Sequence, residues 1–324
     1  MKKYLMAGVL VLFYAFTAIP LAAMANETVK IQLPDGVYIY DSEVVKKNDG
    51  RTVVGFEQYF VVHNNRIYGS IATYEKYGLP KLNALFGGNK KYKILCGGEI
   101  VGTKQNLRFE KEEGADLDDA YIFSDTSYST REIQQGPAYG SARWGSATMC
   151  LAVPEEYKEV KKKVYNTISQ EEVEKVTKLA KEKLLPILIR SKEARQYQIK
   201  KEEMLNGKIN LIDKLSHDNG LFYIGIYWFI FKTPVDSYVY TILFFVEGDQ
   251  VYLITTNYDA ESMGSGMMSI YGMLDVDGDG KEELIVDKLY PSEDGPTVYL
   301  EIYKRRSNDE WTRINKILTT RRVD

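Results

Sequence analysis

The sequence predicts an α+β fold built mainly from antiparallel strands, and three observations carry that prediction. Residues 26–150 and 208–324 consist of short runs rich in β-branched and aromatic residues, broken by Gly, Pro, Asn and Asp. Between them, residues 151–207 change to apolar residues spaced three and four apart, the spacing of one helix face. No helical pattern interrupts the last stretch, so its strands return by close turns as a β-meander, sandwich or blade-like.

The first segment is read as a leader. Lys2 and Lys3 precede a chargeless stretch from Tyr4 to Pro20, and Ala23-Met24-Ala25 follows. A basic start, an apolar run and small residues three and one before a cut form the pattern that signal peptidase accepts, so cleavage after Ala25 is expected. The run is near the short limit for a membrane span. No Cys follows it to take a lipid anchor. The mature chain is therefore expected in the periplasm or outside the cell, without a transmembrane span.

In residues 26–150, strands are expected over Val29–Leu33, Val37–Tyr40, Val53–His63 and Ile67–Tyr74. Asn64-Asn65 between the last two reads as a two-residue hairpin turn. Lys81–Phe86 is a short apolar segment of undetermined type. Cys96 and Cys150 are the two cysteines of the chain, both in apolar settings that raise a thiol pKa, which argues against a nucleophile. In an exported protein they are expected to pair, closing a loop of roughly 54 residues worth about 4 kcal/mol in the chain-entropy model. From Glu110 to Asp125, seven of sixteen residues are acidic. A solvated loop is the expected reading, with a second cation site at Asp116, Asp118 and Asp119 as the alternative.

The central segment is read as helical. Pro154-Glu155-Glu156 suits a helix start, with Pro in the first turn and acids against the dipole. Ser169-Gln170-Glu171-Glu172 is a capping box opening a second helix. Val173, Val176, Ala180, Leu184 and Ile187 line its apolar face, and Pro186 should kink or end it. From residue 208 onward strands return. Leu221–Phe231 and Tyr238–Val246 carry no charge and are too short for membrane helices, so both are expected as strands buried on two faces. Further strands are expected over Gln250–Thr256, Met268–Leu274, Glu283–Leu289, Thr297–Lys304 and Trp311–Leu318.

Composition limits function. With 42 Lys and Arg against 45 Asp and Glu, the formal charge is −3, too balanced for a dedicated nucleic-acid binder. The two histidines, His63 and His217, read as turn or surface residues with no supporting triad motif. No nucleophile-elbow, zinc-protease, P-loop or dinucleotide fingerprint is present. A glycosidase-like carboxylate pair stays open as the alternative, because acids are many and sequence gives no distances.

The sharpest chemical signal is Asp275-Val276-Asp277-Gly278-Asp279-Gly280-Lys281-Glu282-Glu283. Carboxylates at positions 1, 3 and 5 of a tight loop converge on one point, and Gly280 at position 6 permits the turn. The Lys281 carbonyl is placed to face inward at position 7. Hard oxygen ligands in a flexible shell suit Ca²⁺ better than the smaller Mg²⁺. Position 12 is Val286, not the bidentate Glu of an EF-hand, and the chain after Glu283 reads as a strand. The motif resembles the calcium loop of FG-GAP or VCBS-type repeats, over about Ile270 to Tyr303. That resemblance implies two antiparallel strands joined by a loop, with Asp275, Asp277, Asp279 and Glu283 supplying side chains and Lys281 its carbonyl. A structural ion is expected, since three like charges in a metal-free turn would repel.

The expected role is thus an exported, calcium-stabilised binding or scaffolding protein of the cell envelope or secretome, with a protein or glycan as partner. The 25 tyrosines, with Trp144, Trp228 and Trp311, offer either stacking platforms or core packing, and Tyr139–Gly145 is a candidate exposed loop. Lys304-Arg305-Arg306 and Arg321-Arg322 are candidate contacts for an anionic partner.

Overall fold

The computed structural model describes residues 29–46, 52–96, 99–111, 120–123, 128–130, 150–158, 164–165, 168–217, 220–234, 236–260, 268–290, 297–307 and 310–321. The expected leader, Asp116, Asp118, Asp119, Tyr139–Gly145 and Arg322 lie outside these residues. Strands dominate and pair antiparallel, as the sequence predicts, and they form three sheets.

The first sheet has eight strands: β1 Gly36–Lys46, β2 Thr52–His63, β3 Arg66–Gly69, β4 Gly88–Cys96, β5 Glu99–Lys111, β6 Ala120–Phe123, β7 Tyr128–Thr130 and β8 Cys150–Pro154. Their order is β3-β2-β1-β8-β4-β5-β6, with β7 added on β2. The second sheet has β9 Val164–Tyr165, β10 Lys208–His217, β11 Gly220–Lys232, β12 Ser237–Glu247 and β13 Gln250–Ala260, neighbours in reverse chain order. The third is a four-strand meander of β14 Met268–Leu274, β15 Glu283–Tyr290, β16 Thr297–Arg305 and β17 Trp311–Arg321. Helix α1 covers Ser70–Phe86, α2 Gln170–Ile189, α3 Lys192–Gln196 and α4 Lys201–Leu205.

Period-two alternation assembles these elements into layers. On β1 and β2, Val37, Ile39, Tyr59 and Val61 pack against Leu82 and Phe86 of α1. Their neighbours Tyr38, Tyr40, Phe60 and Val62 turn the other way and meet Leu274, Ile285, Leu300 and Ile302 of the four-stranded sheet. That sheet's opposite face places Leu284, Val286 and Tyr303 against Ile224, Ile226 and Phe245 of the five-stranded sheet. The outer face of the five-stranded sheet, with Tyr227, Phe229, Phe231 and Phe244, is covered by Val176, Ala180, Leu184 and Leu188 of α2. The order is α1, eight strands, four strands, five strands, α2–α4. The four-stranded sheet is therefore the middle layer, and each Leu or Ile it buries contributes about 1.5–3 kcal/mol.

Several expectations are met. Asn64 and Asn65 form the β2–β3 turn with φ of 53° and 58°, the left-handed pair a two-residue hairpin needs. The box at Ser169 is present, with Glu172 N–H donating to Ser169 Oγ at 3.2 Å and Ser169 N–H donating to Glu172 Oε2 at 2.9 Å. Strands β11 and β12 are covered on both faces, which explains their chargeless runs.

Several local expectations are corrected: Val29–Leu33 forms no strand, and the first strand begins at Gly36. The strand expected over Ile67–Tyr74 stops at Gly69, where α1 begins; Thr73 Oγ1 donates to the Gly69 carbonyl, and Lys81–Phe86 lies in the second stretch of α1, beyond a break at Gly78 with φ of 66°. Pro154 ends strand β8 and starts no helix. The apolar run before it fills the gap between β1 and β4, and the Tyr157 N–H closes a turn on the Pro154 carbonyl. Pro186, expected to kink or end α2, does not end it, since the helix runs to Ile189 and the proline falls in the last turn.

Candidate metal centre

The acidic loop joins β14 to β15 at the junction of the four-stranded and eight-stranded sheets. A bulge in β14 between Ile270 and Gly272 changes which residues face inward. Before it Ile270 faces the five-stranded sheet; after it Leu274 and Val276 face the eight-stranded one. Val276 is fully buried among Ile31 and Leu33, and its carbonyl accepts from Gln32 N–H at 2.8 Å. The Asp275 N–H donates to the Tyr157 hydroxyl at 3.1 Å. Two segments of the N-terminal half thus hold the first residues of the loop.

The rest of the loop is tied internally. Val276 N–H donates to Glu283 Oε2 at 2.7 Å, Gly280 N–H to Asp275 Oδ2 at 3.0 Å, and Lys281 N–H to Asp279 Oδ1 at 2.8 Å. Gly278 and Gly280 take φ of 72° and 82°, the left-handed region that side chains disfavour. Gly280 is the position at which the loop pattern requires it.

The bonds to Asp275 and Glu283 each occupy one carboxylate oxygen and leave the other buried without a hydrogen-bond partner, whereas the second oxygen of Asp279 turns to Lys304. Asp275, Asp277 and Glu283 each offer a ligand oxygen within 4.8 Å of the others. Asp275 Oδ1, Asp277 Oδ1 and Glu283 Oε1 are buried and have no hydrogen-bond partner. Burial of an unsatisfied charged oxygen is costly unless a cation answers it. Burial, with Asp277's charge beside it, pushes the Glu283 carboxyl up to about 7.

A lysine stands at the rim. Lys304 on β16 places Nζ 2.5 Å from Asp277 Oδ2, 2.7 Å from Asp279 Oδ2 and 3.3 Å from Glu283 Oε1, the last without hydrogen-bond geometry. Burial opposes its charge, but these carboxylates hold the ammonium above its ordinary pKa. Burial likewise opposes ionisation of Asp279, yet the Lys304 hydrogen bond keeps that carboxyl low.

Of the five residues expected as ligands, the structure brings Asp275, Asp277 and Glu283 together. Asp279 lies outside this triad, more than a third exposed and turned to Lys304, and the Lys281 N–H serves Asp279. Hard carboxylate oxygens around a left-handed glycine turn are the donor set of Ca²⁺, and these residues fit that ion.

A second buried carboxylate lies on the other face of the same sheet. Glu301 on β16 accepts from Arg313 Nη1 at 2.6 Å, from the Tyr290 hydroxyl at 2.7 Å and from the Tyr303 hydroxyl. Lys288 Nζ stands 3.4 Å away and donates to Thr255 Oγ1 on β13 at 2.9 Å. Burial pushes the Glu301 carboxyl up, but the tyrosine, lysine and arginine partners outweigh it and hold it below the ordinary range. Burial lowers the Lys288 ammonium.

Other candidates resolve as follows. Cys96 and Cys150 are directly opposite each other on β4 and β8. His63 ends β2 before the Asn64–Asn65 turn and is partly exposed; its Nδ1 lies 2.9 Å from Asp35 Oδ2, and its ring meets Tyr77 and Phe86 edge-on. His217 ends β10 opposite Gly220. Trp228 and Trp311 pack between the sheets. The basic run Lys304–Arg306 presents no common surface, since Lys304 turns to the loop, Arg305 Nη2 donates to Glu247 at 2.6 Å, and Arg306 Nε donates to Thr312. Among the described residues no helix is long and apolar enough to cross a membrane.

Tyr157, Gln32 and Lys304 are the site residues that sequence reasoning missed. Lys304 had a legible signal: it continues the Leu300, Ile302 alternation and so shares the face of Ile285. No family model, no curated protein and no solved structure matches the chain.

Proposed function

We propose that the β14–β15 loop binds Ca²⁺ through Asp275, Asp277 and Glu283, and that the ion is structural. The supporting observation is the set of three buried carboxylate oxygens, within reach of one another and without hydrogen bonds. The strand–loop–strand setting agrees with the resemblance to FG-GAP or VCBS-type repeats. An ion there would lock the loop that Gln32 and Tyr157 hold, and so fasten the four-stranded sheet to the eight-stranded one.

On this reading the chain is an exported scaffold or binding protein whose partner is a protein or glycan. Cys96 and Cys150 would form a disulfide. Opposed residues of antiparallel strands have Cα atoms ~4.5–5.5 Å apart, inside the range a disulfide spans.

Calcium titration of the chelator-treated full chain by calorimetry tests the site. Binding in the ~10⁻⁴–10⁻³ M range of extracellular modules is expected, weaker for Mg²⁺ and lost in Asp275→Asn. Equal heats in wild type and Asp275→Asn would sink the assignment. The cysteine pairing is checked by intact mass with and without reductant and alkylation, where two alkylations before reduction would exclude it.

A further inference from the structure

We propose that Lys304 is a tethered competitor for the loop, an internal cation that Ca²⁺ must displace from Asp277 and Glu283. The inference rests on the calcium reading above and concerns how that site is regulated.

The geometry comes from a different strand than the loop. Tyr303 of β16 pairs with Leu284 of β15, so the sheet register itself delivers the next residue, Lys304, to the first residue of β15, Glu283. The Lys304 side chain is mostly buried, and its ammonium touches two members of the ligand triad, Asp277 and Glu283. An ammonium neutralises part of the charge that would otherwise drive the carboxylates apart. It cannot fill the site, because it leaves Asp275 Oδ1, Asp277 Oδ1 and Glu283 Oε1 without hydrogen bonds. A divalent ion and an ammonium repel each other across the same few ångströms.

Asp279 then has a role other than ligand. It lies outside the triad, is the most exposed of the four acids, and holds Lys304 at 2.7 Å. When calcium enters, Lys304 gives up Asp277 and Glu283 and keeps Asp279. The metal-free loop stays folded, and calcium is held loosely enough to exchange with the surrounding concentration.

The test compares calcium affinity and melting of the chelator-treated full chain for wild type, Lys304→Met and Lys304→Arg. Lys304→Met is expected to bind Ca²⁺ at least tenfold tighter, to melt lower than wild type without metal, and to converge with it at saturating Ca²⁺. Lys304→Arg, which keeps the charge, should stay near the wild-type affinity. If Lys304→Met does not fold without metal, Lys304→Gln carries the same expectation. A folded uncharged variant with unchanged or weaker affinity, beside a binding wild type, would overturn the competitor role alone. Absence of binding in every form would overturn the calcium reading and this inference with it.

Discussion

Glu283 and Glu301 sit on neighbouring strands of one four-stranded sheet, and both are wholly removed from solvent. They face opposite layers and differ in what meets their oxygens. Glu301 receives Arg313, two tyrosine hydroxyls and nearby Lys288, and its carboxyl is held below the ordinary range. Glu283 receives one backbone N–H and a lysine without hydrogen-bond geometry, and is pushed up to about 7. Burial is equal; satisfaction is not. A satisfied buried carboxylate joins layers, whereas one with an oxygen that accepts no hydrogen bond, set among other acids, is a place for a cation.

The largest effect should come from breaking the satisfied side. Glu301→Ala strands Lys288 in the interface between the four- and five-stranded sheets and is expected to cost about 3–5 kcal/mol in urea unfolding, with or without calcium. A loss below about 1 kcal/mol would mean the network contributes little.

Next comes loading of the unsatisfied side. Calcium at 100 times its dissociation constant should add about 2.7 kcal/mol by single-site linkage. The same addition to Asp277→Asn should leave the unfolding midpoint unmoved. In the metal-free protein, Glu283→Gln should change stability by less than about 1 kcal/mol, because Gln can still accept from Val276 and sheds a poorly matched charge. A large metal-free loss would place Glu283 in the same class as Glu301.

A control on a partly exposed carboxylate comes last. Glu172 closes the α2 capping box and accepts from Lys214 Nζ at 2.5 Å and from the Tyr223 hydroxyl at 3.1 Å. Lys214, then the Ser169 N–H, lower its carboxyl from 4.5 to about 2. Because the folded value lies below the unfolded one, its contribution is present above pH 4.5 and fades as pH falls through 2. Glu172→Gln should cost about 1 kcal/mol near neutrality, less in high salt, and the gap should close toward pH 2. A gap that persisted to that pH would show the charge is not what matters.

How much of this was legible follows the range of the signal. The loop, its glycine turn and the flanking strands were readable because ligand spacing and period-two patterns are local. The capping box at Ser169 was readable for the same reason. Strand β8 was misread at its end because Pro154 and two glutamates suit a helix start locally. Insertion between β1 and β4 decided otherwise, and that is a tertiary fact. Gln32, Tyr157 and Lys304 reach the loop from three distant segments, so only the layer order brings them there. Glu301 lies within the expected strand Thr297–Lys304, but its partners on β15 and β17 were invisible without register.

The most direct measurement is the calcium-induced shift in melting temperature of wild type, Glu283→Gln and Glu301→Gln, each against a chelator. The account predicts a rise in wild type, the same rise from a lower baseline in Glu301→Gln, and none in Glu283→Gln. A rise that survives in Glu283→Gln, or disappears in Glu301→Gln alone, would contradict the division of roles between the two glutamates.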